Sequence, residues 1–259
     1  MTRLLLLFAL LLASGCTHMT ATGHGHFQAR SLQFEGRLFR YQVFVPARRD
    51  PAGTPIVLFL HGSGERGDDG RRQLQAGLGP WLQETAGSFP ALVVLPQVPE
   101  GEEWLGRNAR MALAALDAAM AEFDADPQRT YLTGMSMGGY GTWELALLQP
   151  QRFAALVPVC AAILPPHGRR SSLRVAQVAD EADPYTAVVT RLHEVPVWMF
   201  HGADDAVVSP EDARQLHQAA LRSGANLRYT EFPGVNHNAW DPTYRNPAMW
   251  RWLFQQRRD

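Results

Sequence analysis

Lysine is absent from the 259 residues, and all 24 basic side chains are arginine. That absence removes Schiff-base chemistry, pyridoxal attachment and the lysine of a P-loop or kinase-type nucleotide site. Cysteine occurs only at Cys16 and Cys160, too few for a disulfide framework or a cysteine-rich zinc site, so stability must come from packing. An excess of positive charge is missing as well. The 24 basic and 25 acidic side chains leave a formal net charge of −1, without the basic footprint that nucleic acid requires. Past its first residues the chain has no apolar run of the roughly 18 residues a transmembrane helix needs. What is present is 46% hydrophobic and 19% charged residues, which excludes a disordered or collagen-like chain and suffices for one sizeable core.

Arg3 is followed by an unbroken apolar run over residues 4–13, too short to span a bilayer core of about 30 Å and readable as the apolar segment of an export signal. Ala13-Ser14-Gly15-Cys16 then resembles the bacterial lipoprotein signal, in which cleavage leaves the cysteine as a lipidated N-terminus. The alternative is an ordinary signal peptide cut a few residues later, with Cys16 discarded. Either way the mature protein is expected to be exported. The lipoprotein reading attaches it to the cell envelope through a lipid anchor only, in the outer membrane of a Gram-negative host. Residues 17–30, THMTATGHGHFQAR, are small and polar, as a flexible tether would be. Its His18, His24 and His26 lack an ordered carboxylate or cysteine to complete a metal site. The expected division is a signal over 1–16, a tether over 17–30 and a single domain over 31–259.

Residues 31–46 alternate apolar and polar side chains about Gly36 and predict an antiparallel hairpin. Further on, the runs at 56–60, 91–95, 130–132, 155–159 and 195–200 are apolar without alternation, as strands buried on both faces of a parallel sheet would be. Helical patterns lie between them at 107–123, 139–148 and 211–221, the last preceded by Ser209-Pro210 as N-cap and first turn. A strand over 227–232 and a tryptophan-rich helix over 247–256 close the chain. The alternation predicts an α/β fold, a doubly wound and mostly parallel sheet flanked by helices, with the hairpin at its N-terminal edge.

In such sheets reactive groups collect in loops past the carboxyl ends of the strands. Gly134-Met135-Ser136-Met137-Gly138 stands between a buried strand and a helix, the setting of a nucleophile elbow. A serine there adopts a strained backbone, and side chains at Gly134 or Gly138 would collide with passing chain. Of nine histidines, His237 lies beyond the last strand, where the base of this fold belongs. His61 and His201 each precede a glycine at a strand end and read as histidines that fix a turn. Asp204 and Asp205 follow the strand before His237, and spacing does not separate them. Donors to a developing oxyanion are expected from the amide of Met137 and from Ser63 or Gly64 in the loop after an early strand.

LHGSGERG, YLTGMSMGGYGTWELA, PVWMFHGADDAVV and GVNHNAWDP together resemble the α/β-hydrolase family of bacterial predicted peptidases and esterases. That family is related to prolyl-oligopeptidase catalytic domains and to phospholipase/carboxylesterases. The resemblance spans about residues 31–257. It implies a catalytic triad of Ser136, Asp205 and His237, no metal and no organic cofactor, and it leaves esterase and peptidase activity both open. Trp143 and Trp198 read as core. Trp104 and Trp240 fall on loops beside the site, where each either stacks on an aromatic or sugar substrate or packs inward. Cys160 reads as a small apolar residue at a strand end. Residues 165–194 form a long connection that is either a partial cap or an excursion away from the substrate. The expectation is an exported serine hydrolase acting on a small-molecule carboxylic ester. A serine peptidase for short peptides is the alternative, and a catalytically silent anchored binding module is the alternative of another class.

Overall fold

The computed structural model describes residues 23–166 and 170–258, so the segment expected to be an export signal, Cys16 and His18 lie outside the described residues. The strands are β1 His26–Phe34, β2 Arg37–Val45, β3 Thr54–Leu60, β4 Leu92–Pro96, β5 Ala125–Met135, β6 Ala155–Val159, β7 Val197–Gly202 and β8 Leu227–Phe232. The helices are α1 Leu78–Glu84, α2 Arg107–Phe123, α3 Met137–Leu148, α4 Pro184–Arg191, α5 Glu211–Ser223, α6 Trp240–Tyr244 and α7 Pro247–Gln255. All eight strands join one sheet in the order β1-β2-β4-β3-β5-β6-β7-β8. The pairs β1–β2 and β2–β4 are antiparallel and the rest are parallel.

The unbroken apolar runs follow from this layering. Ile56, Leu58 and Leu60 of β3 pack into the layer that holds α2, α3, α4 and α5, while Val57 and Phe59 point into the layer of α1, α6 and α7. Both faces of the strand are dry, so every one of its residues is buried and no polar alternation survives. Helix α3, packed against β5 and β6, is buried on all sides, which is why it carries no amphipathic stripe.

Several boundaries differ from the sequence reading. Residues 26–30 belong to β1 rather than to a tether, because the backbone pairs from His26↔Val45 onward and Phe27 packs edge-on to Phe44 at 5.4 Å. The turn at Glu35-Gly36 has φ of 44° and 77°, the left-handed pair a two-residue hairpin needs. Helix α5 begins at Glu211 as expected and runs two residues further, to Ser223, but its N-cap is not Ser209. Pro210 is its N-cap and Ser209 Oγ accepts from the Glu211 amide at 3.3 Å. The 165–194 connection contains α4, started by Asp183, whose carboxylate accepts from the Thr186 amide at 3.0 Å.

Candidate active site

The chain turns from β5 into α3 at Ser136, which sits at φ 53° and ψ −119°, a region that costs an L-residue about 1–3 kcal/mol. Two glycines permit the turn. A Cβ on Gly134 would lie 2.2 Å from the Gly138 carbonyl oxygen, and one on Gly138 would lie 1.9 Å from that of Leu60. The Ser136 amide donates to Val159 O at 3.0 Å and faces the buried Cys160 Sγ at 3.3 Å. Cys160 thus packs under the serine as a buried thiol whose pKa burial pushes up.

Ser136 Oγ lies 2.9 Å from His237 Nε2, and His237 Nδ1 lies 2.7 Å from Asp205 Oδ2. Those partners set the tautomer, with the proton on Nδ1 donated to the carboxylate and Nε2 left to accept from the serine hydroxyl. Asp205 is fully enclosed. Its Oδ1 accepts from the amides of Val207 and Val208 at 2.8 and 2.9 Å. Its Oδ2 also faces His201 Nε2 at 3.3 Å. Burial alone pushes this carboxyl up, but the hydrogen bonds from His201, His237 and the Val208 amide outweigh it and hold the group well below the usual carboxylate range. Asp204 is exposed to solvent. Of the two adjacent carboxylates, only Asp205 meets His237.

Asn236 Oδ1 accepts from the His237 amide at 2.7 Å and the Ala206 amide at 3.3 Å, which ties the histidine loop to the aspartate loop. Gly202 makes that approach possible, since a Cβ there would lie 2.2 Å from Asn236 O. Val208 packs inward beneath the loop, whereas Val207 is 50% exposed and joins the cavity wall.

A cavity of about 340 Å³ opens over the serine, lined among others by Ser63, Gly64, Met135, Leu173, His237 and Trp240. Met137 is the first residue of α3. Its amide has no intrahelical acceptor, and the positive end of the helix dipole faces the same way. Ser63 and Gly64 lie in the short 3-10 turn Ser63–Glu65 after β3, and both border the cavity beside Ser136. The three residues expected to supply oxyanion donors therefore gather around the serine.

The two loop tryptophans part company. Trp240 opens α6 and lines the cavity, its ring perpendicular to that of His237 at 5.6 Å. Trp104 is 1% exposed and faces no substrate. Its loop folds beneath the end of β3, where the indole N–H donates to His61 O at 3.0 Å and the ring meets the His61 ring edge-on. His61 is a turn-fixing residue, as expected. Its Nε2 accepts from the Val98 amide at 3.0 Å, Nδ1 donates to Gly62 O at 2.6 Å, and burial pulls its pKa down to about 4.

Sequence reasoning missed three features. His201 fixes a turn through Val208 O at 3.0 Å, but it also touches the acid. Asn236 had no signal beyond its place next to His237. Glu103, 8% exposed, receives Arg66 Nη2 at 3.0 Å and both ends of the Arg170 fork, while Arg170 Nη1 donates to Ser63 Oγ at 2.6 Å. The 165–194 connection does reach the cavity, through Pro166, Arg170 and Leu173. Among the described residues no group of three or more His, Cys, Asp or Glu side chains is placed to hold a metal, and no helix is long and apolar enough to cross a membrane.

Residues 112–252, which include Ser136, Asp205 and His237, match the family described as "Putative esterase". A relative from Oryza sativa subsp. japonica named "Probable carboxylesterase" is 24% identical over 221 residues, 76% of this chain and 87% of its own length. Among solved structures, a thermostable esterase superposes with a TM-score of 0.72 at 30% identity over 90% of this chain. The chain spans 63% of that esterase's length. An acylaminoacyl peptidase from Pyrococcus horikoshii shares the fold, with a TM-score of 0.68 at 14% identity, and 92% of this chain overlies 42% of that one.

Proposed function

Because the chain belongs to the Esterase family, we propose that it hydrolyses small carboxylic esters through an acyl-enzyme on Ser136. The observation that carries this reading is the hydrogen-bonded series Asp205–His237–Ser136, at 2.7 and 2.9 Å, opening onto a cavity. Ser136 Oγ attacks the ester carbonyl while His237 Nε2 takes the hydroxyl proton, and Asp205 stabilises the imidazolium. The amide of Met137 and that of Ser63 or Gly64 receive the oxyanion. His237 then returns the proton to the departing alcohol, and water releases the acid by the same steps. An alcohol leaves more readily than an amine and asks less of that proton transfer, which favours esters over peptides. The test is fluorophosphonate labelling followed by turnover of short nitrophenyl esters and short peptides. Ser136→Ala should abolish labelling and leave the fold intact, and full labelling of that variant would refute the mechanism.

The apolar run at 4–13 and Ala13-Ser14-Gly15-Cys16 support placing the enzyme in the cell envelope on a lipid attached to Cys16. Cys16→Ser should then move it from the membrane fraction to the soluble fraction.

A further inference from the structure

One wall of the cavity over Ser136 is charged, and a buried network holds it in place. Arg170 lines that cavity with its side chain 31% exposed. The guanidinium does not swing freely. Nε and Nη2 grip the two oxygens of Glu103 at 2.9 Å each, and Nη1 donates to Ser63 Oγ at 2.6 Å. Ser172 Oγ, at 3.1 Å, steadies the same carboxylate. Arg66, 10% exposed, also draws on Glu103, so two cations share one buried carboxylate. The second Nη1 hydrogen of Arg170 has no partner among the described residues. Arg170 stands at φ 54°, a conformation that arginine adopts only when its surroundings impose it. Among the described residues the other ionisable groups on the wall are His237 of the triad and Glu65. Glu65 Oε2 turns back toward Gly62, 3.1 Å from where a Cβ would stand there, and burial pushes its pKa up.

The position of Arg170 decides which half of an ester it meets. The alcohol must lie toward His237, which protonates it, and hence toward Trp240. Among the described residues Arg170 makes no hydrogen bond to the loop of His237 and Trp240; it is bonded to Ser63 and lies 3.6 Å from the sulfur of Met137, the residues that flank the carbonyl oxygen. A fork with a spare N–H at that place fits a carboxylate at the far end of the acyl chain. A cavity of about 340 Å³ is at the small end for ligand sites, so that chain is short. We infer that Arg170 anchors a substrate carboxylate and that the enzyme prefers esters whose acyl half is a short dicarboxylic acid. The inference rests on the ester-hydrolase reading of Ser136.

The experiment measures kcat/KM of the full chain by proton release on monoethyl succinate and monoethyl glutarate. The comparators are ethyl butyrate and ethyl pentanoate, in which a methyl group replaces the carboxylate. A partly exposed charged hydrogen bond is expected to favour the hemiesters by about tenfold, less at high salt. Arg170→Gln should bring the ratio to within about twofold of one, and Arg170→Lys should restore part of it, since a point charge attracts without the fork. A wild-type enzyme that turns over the neutral esters with a ratio at or below one would overturn the assignment. So would an Arg170→Gln variant that loses activity equally on both classes, because that pattern belongs to a residue that only holds Ser63. No turnover of any of these esters, with no fluorophosphonate labelling, would overturn the ester-hydrolase reading and this inference with it.

Discussion

Replacing Asp205 by asparagine changes one atom in a site where four donors converge on two oxygens. The amides of Val207 and Val208 point at Oδ1, and His237 Nδ1 and His201 Nε2 point at Oδ2. Backbone N–H groups cannot become acceptors, so the amide oxygen of the asparagine must stay on the Oδ1 side. Its NH₂ group then faces both histidines. His237 can meet it only by moving its proton from Nδ1 to Nε2, which now confronts Ser136 Oγ with a donor where a base is needed. His201 cannot adapt in this way, since its Nε2 proton is held by Val208 O at 3.0 Å, and two donors are left opposed in a dry site. A histidine in the wrong tautomer lowers turnover by about 10⁴, roughly 5.5 kcal/mol of barrier. Asp205→Asn is expected to lose that much in kcat on a short nitrophenyl ester, with far-UV circular dichroism unchanged. Asp204 is exposed, and its backbone rather than its carboxylate joins the loop, through Val235 O at 3.0 Å. Asp204→Asn should therefore stay within about threefold of wild type. A loss below about 100-fold for Asp205→Asn, or equal losses for the two variants, would refute the reasoning.

Charging His61 would put a proton on the nitrogen that accepts from Val98, and burial holds its pKa near 4 against an ordinary value of 6.5. Between those values the unfolded chain binds a proton that the folded chain refuses, so stability is full above the window and falls as pH drops through it. The loss is about 3 kcal/mol at the acid end, and a urea midpoint that stays level across the window would contradict it. Gly138→Ala forces a methyl into the Leu60 carbonyl and should destabilise by about 3 kcal/mol or more in urea unfolding. Gly64→Ala, with nothing within 4 Å of the added carbon, should change stability by about 0.5 kcal/mol or less. Trp240→Ala removes a cavity wall and should raise KM. Trp104→Phe removes the hydrogen bond to His61 O and should lower stability by about 1 kcal/mol without moving KM. An effect of Trp104→Phe confined to KM would mean that Trp104 reaches substrate after all.

Local chemistry made much of this protein legible before any coordinates. A strand dry on both faces leaves an unbroken apolar run, which is how β3, β4 and β6 announce themselves within two residues of their observed limits. A serine between two glycines that cannot bear side chains marks the elbow, and position after the last strand singles out His237. The choice of Asp205 over Asp204 needed the family pattern, because adjacent residues share every local signal and differ only in which one the loop turns inward. Tertiary structure alone decided the rest. Trp104 and Trp240 look alike in sequence, yet one loop folds under β3 and the other opens onto the cavity. His201 meets the acid through a turn that spacing does not specify. Arg66, Glu103 and Arg170 stand 37 and 67 residues apart and become neighbours only when the sheet brings their loops to one edge. Periodicity records which face of an element is buried, within a few residues of chain. A charge network assembled from three loops has no period, and its existence depends on the packing of everything between.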